Sequence, residues 1–393
     1  MSKTIDEIRG EIDALHDAGT YKTEPVLSGP MGPTVKLADG REVINLCSNN
    51  YLGLANHPDV LSGARKAMDA FGQGTASVRF ICGTFSVHLE LEKVIAEFCG
   101  AERATTYVSC WNANEALVPS LIGAGDAVIS DELNHASIID ACRLCNRKVN
   151  RLVFKHSDMS DLARRLSEAN GVRRKLIITD GVFSMEGDLA NLPEIVKLAR
   201  EHDALVAVDD SHAHGVVGRT GKGTPEHFGV RVDIITGTLG KALGGAAGGF
   251  IAGPAPVIEL MVQRSRPQLF SNALPPAVAG GALAAFELLK REPDRVGHLQ
   301  ENVAYLRDGL RKLGYEVLQS PTAILPIIVG DTAKALRLAD AMLTHGVLIT
   351  GFGFPVVPEG TARLRAQVSS VHTRNHLDQA LKAFEAIRSE TGN

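Results

Sequence analysis

The sequence has little of what several large function classes require. It contains one tryptophan, its formal net charge is only −4, and it has no long basic run. Nucleic acid and anionic membranes are therefore poor partners, although a local basic patch for a phosphorylated substrate stays open. No apolar stretch reaches the ~18 residues of a membrane span. We expect neither a nucleic-acid partner nor a membrane span.

Cysteine is also scarce. The six cysteines lack the spacing of a secreted disulfide framework. The pair Cys142-Arg-Leu-Cys145 has no second pair to complete a metal site, so we interpret it as two packed or exposed thiols and predict no metal. The N-terminus is not a signal peptide, because Thr4-Ile5-Asp6-Glu7 resembles a capping box that opens an amphipathic helix. We expect a reduced, cytoplasmic protein.

The middle of the chain alternates short apolar strands with helix-length segments, which predicts a mostly parallel sheet covered on both faces. The predicted strands are Ala104–Ser109, Ala127–Ser130, Arg151–Lys155, Leu176–Thr179, Leu205–Val208, Ile234–Thr236 and Gly249–Ala252. We predict three parts: an N-terminal segment (1–58), a large α/β domain (59–296) and a smaller α+β domain (297–393). The N-terminal segment is expected to pack with the smaller domain.

The smaller domain is predicted from a second group of elements. Its strands are expected at Tyr315–Leu318, Leu325–Val329, Val347–Thr350 and Arg363–Ser369, with a helix near Ala333–Thr344 and a final amphipathic helix.

Lys241 lies in an unusually glycine-rich segment directly after a predicted buried strand. Seven of the seventeen residues from Gly237 to Gly253 are glycine, which suits tight turns and the close approach of another group. A phosphate-binding loop does not fit, because Ile235 replaces its first glycine and Ala242 replaces its hydroxyl residue. No dinucleotide-binding glycine pattern is present either. A lysine held in such a place can lose its proton and act as a nucleophile.

Polar residues follow the other predicted strands. They are Ser109-Cys110-Trp111-Asn112, Asp131 to His135, Asp180 to Ser184, and Asp209-Asp210-Ser211-His212. Each alone suits a helix cap, a turn or a core histidine. Ligands of open α/β sheets bind at the carboxyl ends of the strands, so the whole set predicts one site. Pyridoxal phosphate (PLP) needs these parts: a lysine, a carboxylate for the pyridine nitrogen, donors to the ring hydroxyl, a stacking ring and backbone amides for the phosphate.

The chain resembles the α-oxoamine synthase family of fold-type I PLP-dependent transferases along nearly its whole length. The segments that carry the resemblance are 47–57, 77–84, 131–140, 180–187, 209–212, 233–245 and 263–272. The resemblance implies an α/β fold with a large PLP-binding domain, a smaller C-terminal domain, and an obligate homodimer with shared active sites.

The resemblance also implies a role for each matching residue. Lys241 is expected to bond to the PLP aldehyde and to act as acid and base at the substrate's α-carbon. Asp209 is expected on the pyridine nitrogen, His212 and Ser184 at the ring hydroxyl, and His135 stacked on the ring. The phosphate is expected on the backbone around Ser109, Cys110 and Trp111 and on the Thr238 hydroxyl, with Ser271 reaching the phosphate held by the neighbouring subunit.

Two further residues are expected to meet the substrate. Asn49 is implied beside it, and Arg365 matches the family's arginine for the amino-acid carboxylate, a role that suits a planar guanidinium. On a strand, Arg363 shares a face with Arg365, and we expect Arg363 to be a solvated charge.

The implied reaction joins glycine to acetyl-CoA or runs in reverse during threonine breakdown. Other branches of the family use another amino acid or acyl thioester with decarboxylation, and make 8-amino-7-oxononanoate, 5-aminolevulinate or ketosphinganine. An aminotransferase and a non-catalytic PLP protein are rival hypotheses. The chain departs from the family pattern at Trp111-Asn112, His214 and Gly351 to Phe354. These departures leave the acyl group open.

Overall fold

A computed structural model describes the backbone of residues 2–391 and the side chains of residues 2–388. The helices of this part are α1 (Lys3–Asp17), α2 (Pro58–Phe71), α3 (Ser86–Cys99), α4 (Cys110–Leu121), α5 (Ala136–Leu144), α6 (Met159–Glu168), α7 (Leu192–Glu201), α8 (Thr224–Phe228), α9 (Ala255–Arg264), α10 (Arg266–Phe270), α11 (Pro276–Arg291), α12 (Asp294–Lys312), α13 (Thr332–Thr344) and α14 (Arg374–Thr391). A π-helical turn spans Arg79–Gly83.

The strands of the described chain are β1 (Thr34–Lys36), β2 (Glu42–Asn45), β3 (Arg103–Tyr107), β4 (Ala127–Asp131), β5 (Asn150–Phe154), β6 (Lys175–Asp180), β7 (Leu205–Asp209), β8 (Ile234–Thr238), β9 (Gly249–Gly253), β10 (Ile324–Gly330), β11 (Val347–Leu348), β12 (Thr350–Phe352) and β13 (Ala362–Gln367).

The central sheet has seven strands in the order β3-β9-β8-β7-β6-β4-β5. It is parallel except for β9, which runs antiparallel to both of its neighbours. All seven strands predicted from the sequence are present, and none of their ends is shifted by more than two residues. The prediction of a mostly parallel α/β sheet is therefore confirmed.

Both faces of this sheet are covered, because each central strand is apolar on both sides. Along β6, Leu176 and Ile178 pack into one buried cluster and Ile177 packs into another on the opposite face. Successive side chains of a strand point to opposite faces, which explains the alternation. Helices on each face complete the two clusters and leave the carboxyl edge of the sheet for polar residues.

Two small sheets lie outside the central one. The strands β10, β13 and β12 form an antiparallel sheet, and β1, β2 and β11 form the other. The parallel pairing of β2 with β11 joins the N-terminal segment to the C-terminal part of the chain. This pairing supports the predicted packing of residues 1–58 with the smaller domain, while the three-part division stays a prediction.

Two predictions in the outer parts of the chain were wrong. The strand expected at Tyr315–Leu318 is reduced to a single bridge between Val317 and Ile327. Leu318 N donates to Pro326 O, but Pro326 has no N–H to return a bond, so the ladder stops there. The strand expected at Val347–Thr350 is divided between β11 and β12, which belong to different sheets.

The N-terminal helix begins earlier than its sequence suggests. Ser2 is the extended N-cap residue of α1, so Thr4 lies inside the helix and the predicted capping box is wrong. The apolar stripe of this helix is exposed to solvent, and it consists of Ile5, Ile8, Ile12 and Leu15. No helix among the described residues is long and apolar enough to cross a membrane.

Candidate active site

The carboxyl ends of β6 and β7 bring Asp180 and Asp209 side by side in register. Asp209 is buried and its carboxylate accepts hydrogen bonds from Asn114 Nδ2 at 2.7 Å and from Ser211 N at 2.9 Å. Burial raises the pKa of Asp209, but these two residues and the Lys241 charge outweigh it, so its pKa lies below the ordinary value. The site thus holds an ionised carboxylate below the surface.

Lys241 follows β8 and is half-buried at the same edge. Burial lowers the pKa of Lys241, and the charge of Asp209 opposes this effect only in part. A lowered pKa makes the unprotonated amine available nearer neutral pH, as a nucleophilic lysine requires. The geometry therefore supports the reactive role predicted for Lys241.

The buried ring of His212 is held by a tyrosine that the sequence analysis did not select. Tyr51 OH lies 2.8 Å from His212 Nδ1 and donates to Asn49 Oδ1 at 3.1 Å. Burial, together with the nearby positive charge of Lys241, holds the pKa of His212 well below its usual range. The predicted residues Asn49 and His212 are thereby brought together as neutral, oriented groups.

His135 caps the N-terminus of α5 and keeps an exposed ring at the end of β4. Its backbone N–H donates to Asp180 Oδ2 at 2.7 Å, and its Nδ1 lies 2.8 Å from Ser137 Oγ. The Trp111 ring meets it edge to face, with 5.9 Å between the centroids. The exposed, fixed imidazole suits the predicted stacking position.

The predicted phosphate-binding residues lie at the N-terminus of α4. Ser109 caps this twelve-residue helix by accepting from Asn112 N at 3.1 Å, and the first turn carries the Cys110 and Trp111 N–H groups. A Cβ on Gly249 would lie 2.2 Å from Cys110 N, so only glycine permits this close approach. Thr238 Oγ1 accepts from Gly240 N at 3.1 Å in the adjoining loop. Helix N-termini of this kind bind anions.

Arg365 lies on β13 and reaches the segment after β6. Its Nη1 donates to Ser184 O at 2.8 Å, and its guanidinium lies 4.5 Å from the centroid of the Phe352 ring. No acidic side chain lies within 4 Å of it among the described residues, and its buried Nε has no hydrogen-bond partner there. Arg365 is thus a cation without an acidic partner in the described chain, and it is suited to bind an anionic ligand.

The neighbouring Arg363 differs from its prediction. It is 4% exposed and forms an ion pair with Glu186 at 3.1 Å, so the expectation of a solvated charge was wrong. The physical reason is that the 181–188 segment covers this face of β13 and supplies both the acid and the Met185 carbonyl. Of the two arginines on this face, Arg363 has an acidic partner, and Arg365 has none within 4 Å among the described residues.

Ser271 is not brought to this cluster within one chain. It is the C-cap residue that follows α10, beside the bridge between Val78 and Asn272, and no described contact joins it to another predicted site residue. Its role at the site of a second subunit stays a prediction.

Two residues of the site were missed from the sequence. Asn114 is buried and joins Asp209 to Thr236, whose Oγ1 donates to Asn114 Oδ1 at 2.9 Å. Its position four residues after Cys110 on α4 places both on one helix face, which could have identified it. Tyr51 follows Asn49 by two residues in a segment that already resembled the family.

These residues fit PLP. Asp209 is ionised, yet no basic side chain lies within 4 Å of it in the described part of the chain, which suits a protonated pyridine nitrogen. The glycine-lined start of α4 suits the phosphate, and Lys241 suits the aldehyde.

Comparison with known proteins agrees with this fit. The family model for aminotransferases of class I and II matches residues 41–384. An 8-amino-7-oxononanoate synthase from Symbiobacterium thermophilum is 48% identical over 385 residues, 97% of both chains. A 2-amino-3-ketobutyrate coenzyme A ligase from Escherichia coli K12 is 46% identical over 390 residues, 98% of both chains. A serine palmitoyltransferase from Sphingomonas wittichii superposes with a TM-score of 0.93 at 32% identity, and covers 99% of this chain and 98% of its own.

The chain belongs to the α-oxoamine synthase family. Its fold is that of the fold-type I PLP transferases, and its cofactor is PLP, which a solved family member with a TM-score of 0.93 also carries. The family resemblance, fold and cofactor predicted from the sequence are therefore confirmed.

One departure from the family pattern in this α-oxoamine synthase lies five residues after Asp209. His214 is 2% exposed, stacks on Phe250, and neither of its ring nitrogens has a hydrogen-bond partner among the described residues. Burial lowers the pKa of His214 to about 4. The imidazole is thus neutral and loses its solvation without gaining a hydrogen bond, because the nearby Asp210 Oδ2 lies 4.0 Å from Nε2.

Replacing His214 by leucine is expected to raise the free energy of unfolding at pH 7 by about 1–3 kcal/mol, the cost of a buried unsatisfied polar group. In the unfolded chain this histidine binds a proton below its ordinary pKa of about 6.5. Because its folded pKa is lower, it removes stability as the pH falls from about 6.5 to about 4. The free energy of unfolding of the leucine variant, measured with urea, should fall less over this pH range than that of the wild type. A lower stability of the variant at pH 7 would contradict this expectation.

Proposed function

We propose that this α-oxoamine synthase joins glycine to acetyl-CoA, giving 2-amino-3-ketobutyrate and coenzyme A, and that it catalyses the reverse cleavage. Arg365 carries this proposal, since its guanidinium has an unused donor and no acidic partner within 4 Å in the described structure. The relative named 2-amino-3-ketobutyrate coenzyme A ligase supports the choice of substrates. The family resemblance of the 77–84 and 131–140 segments supports this choice as well.

In this proposal Arg365 binds the carboxylate of the amino acid. Its contact with Ser184 O orients the guanidinium, and the Phe352 ring covers one face of it. Asn49 and His212, joined through Tyr51, line the site beside the substrate. A bidentate arginine fixes both the position and the rotation of a carboxylate, so the α-carbon is held in one orientation.

Lys241 Nζ removes and returns the proton at the α-carbon. The lowered pKa of Lys241 matches this work, because a base with a pKa nearer the working pH transfers protons more effectively. PLP supplies the electron sink for the resulting carbanion. Asp209 would place its negative charge beside a protonated pyridine nitrogen. Hydrogen bonds from Asn114 and Ser211 hold its carboxylate in position.

We propose that His135 serves the acyl donor. Its ring is exposed while its backbone is fixed by Asp180, so the imidazole can stack on the cofactor and donate to a thioester carbonyl. The carbanion then forms a carbon–carbon bond with the carbonyl carbon, and the carbon–sulfur bond breaks to release coenzyme A. Ser271 is proposed to act across a homodimer.

The alternative is another reaction of the same family. The Symbiobacterium thermophilum relative named 8-amino-7-oxononanoate synthase is 48% identical, which favours this alternative to a similar degree. That reaction uses alanine with pimeloyl-CoA. The residues around Lys241 and Asp209 serve either reaction, so the acyl and amino-acid pockets must decide.

A matrix of substrates tests the proposal. Purified holoenzyme is assayed with glycine, alanine and serine against acetyl-, pimeloyl- and palmitoyl-CoA, and each product is identified by mass. We expect the highest kcat/KM for glycine with acetyl-CoA, and an undecarboxylated product. A preference for alanine with pimeloyl-CoA or for serine with palmitoyl-CoA would contradict the proposal, and formation of pyridoxamine phosphate would indicate an aminotransferase.

A further inference from the structure

His156 lies outside the predicted site and forms two ion-pair contacts that the proposed reaction does not use. Its Nδ1 lies 3.1 Å from Asp131 Oδ1, and its Nε2 lies 3.0 Å from Asp188 Oδ2. The imidazole is 20% exposed, Asp131 is 2% exposed, and the edge of the ring meets Phe183 with 4.4 Å between centroids. Only a ring protonated on both nitrogens can donate to both carboxylates.

The charge state agrees with this geometry. Burial lowers the pKa of His156, but the hydrogen bonds and charges of Asp131 and Asp188 outweigh it and raise the pKa to about 10. The ring is therefore an imidazolium throughout the physiological range, and it acts as a fixed cationic link.

The two carboxylates belong to the two loops that carry the site. Asp131 begins the loop that ends at His135, and its carboxylate also accepts from Leu133 N at 2.9 Å. Asp188 closes the 181–188 segment, where Asp188 O accepts from Phe183 N at 3.1 Å. This segment presents Ser184 O to Arg365. His156 thus joins the loop of the stacking residue to the segment that orients the carboxylate-binding arginine.

We propose that His156 is a positioning residue for amino-acid binding: by donating to Asp131 and Asp188 it holds the 181–188 segment against the His135 loop, and so fixes Ser184 and Arg365. This inference rests on the proposed binding of the substrate carboxylate by Arg365. Small displacements of a positioned group lower activity strongly, by up to ~10²-fold for ~1 Å.

The chain offers a matched control at the other end of the same strand. Asp126 precedes β4, is fully buried, and receives two hydrogen bonds from Arg173 at 2.8 and 3.0 Å. It lies five positions before Asp131, about 16 Å at ~3.3 Å per residue. Removing Arg173 leaves an unpaired buried carboxylate, as removing His156 does, but away from the site.

The test titrates PLP-loaded enzyme with glycine and follows the absorbance of the bound cofactor, which gives a dissociation constant without acyl-CoA. His156→Asn and Asp188→Asn are each expected to weaken glycine binding about tenfold, with kcat falling less than KM rises. The double variant should bind glycine no more weakly than the weaker-binding of the two single variants, because both substitutions break the same link between the loops. Arg173→Gln should lower stability but leave glycine binding within twofold.

Asp188→Asn is expected to disturb folding less than His156→Asn, because the Asp188 side chain is 36% exposed. It therefore still tests the inference if His156→Asn does not fold. Glycine dissociation constants within twofold of wild type in the folded variants would overturn the inference, as would an equal loss in Arg173→Gln. If the wild-type enzyme responds to alanine or serine instead of glycine, the proposed function fails. The same variants titrated with that amino acid then decide the role of His156 separately.

Discussion

Replacing Lys241 by alanine is expected to lower kcat for glycine and acetyl-CoA by about 10³-fold or more. The substitution removes both the amine that bonds to PLP and the base at the α-carbon, and a positioned acid–base group alone contributes about 10²–10⁴-fold. The measurement is the release of coenzyme A by protein supplied with PLP. The absorbance of the bound cofactor should change in the same variant.

Lys222 offers a control for this experiment. It is also flanked by glycines, at Gly221 and Gly223, but it is exposed. Lys222→Ala should keep kcat within about twofold of wild type, because surface substitutions have small effects. A Lys241→Ala enzyme with more than a tenth of the wild-type kcat would show that another lysine serves PLP.

Replacing Arg365 by methionine is expected to lower kcat/KM for glycine about 10²-fold, mainly through KM. A hydrogen bond to a charged group contributes about 1.5–3 kcal/mol, and ~1.4 kcal/mol corresponds to tenfold. Methionine keeps much of the apolar stem beside Phe352 but removes the charge. Steady-state kinetics at saturating acyl-CoA measure the effect.

Arg363 distinguishes binding from stability in that experiment. It lies on the same face of β13, but its guanidinium is already paired with Glu186. Arg363→Met should cost up to about 3 kcal/mol of stability, since it removes a buried guanidinium and leaves the partly buried Glu186 without its cation, while KM for glycine changes less than tenfold. An Arg365→Met enzyme with an unchanged KM and lowered stability would contradict the binding role.

The central sheet could be predicted from the sequence because its information is local. Each strand is a short apolar run that ends in a polar residue or glycine, and the carboxyl ends of parallel strands meet at one edge. This is why Asp209 and Lys241 could be placed near each other without a structure. The family resemblance then assigned their roles, which the geometry supports.

The contacts that orient the site could not be read from local pattern. Asn114 is 95 residues from Asp209, and Tyr51 is 161 residues from His212. Arg363 looked solvated because its partner Glu186 lies 177 residues away in the chain. Strand periodicity shows which face a side chain takes, but the group that meets it depends on the path of the whole chain.

That PLP bonds to Lys241 is tested most directly by reducing the holoenzyme with borohydride and mapping the modified peptide by mass. Reduction makes the bond between cofactor and lysine permanent. We predict one modified peptide, with the added mass on Lys241 and none in the Lys241→Ala enzyme. A modification on any other lysine, or an unmodified Lys241 in a protein that retains its cofactor, would contradict the site described above.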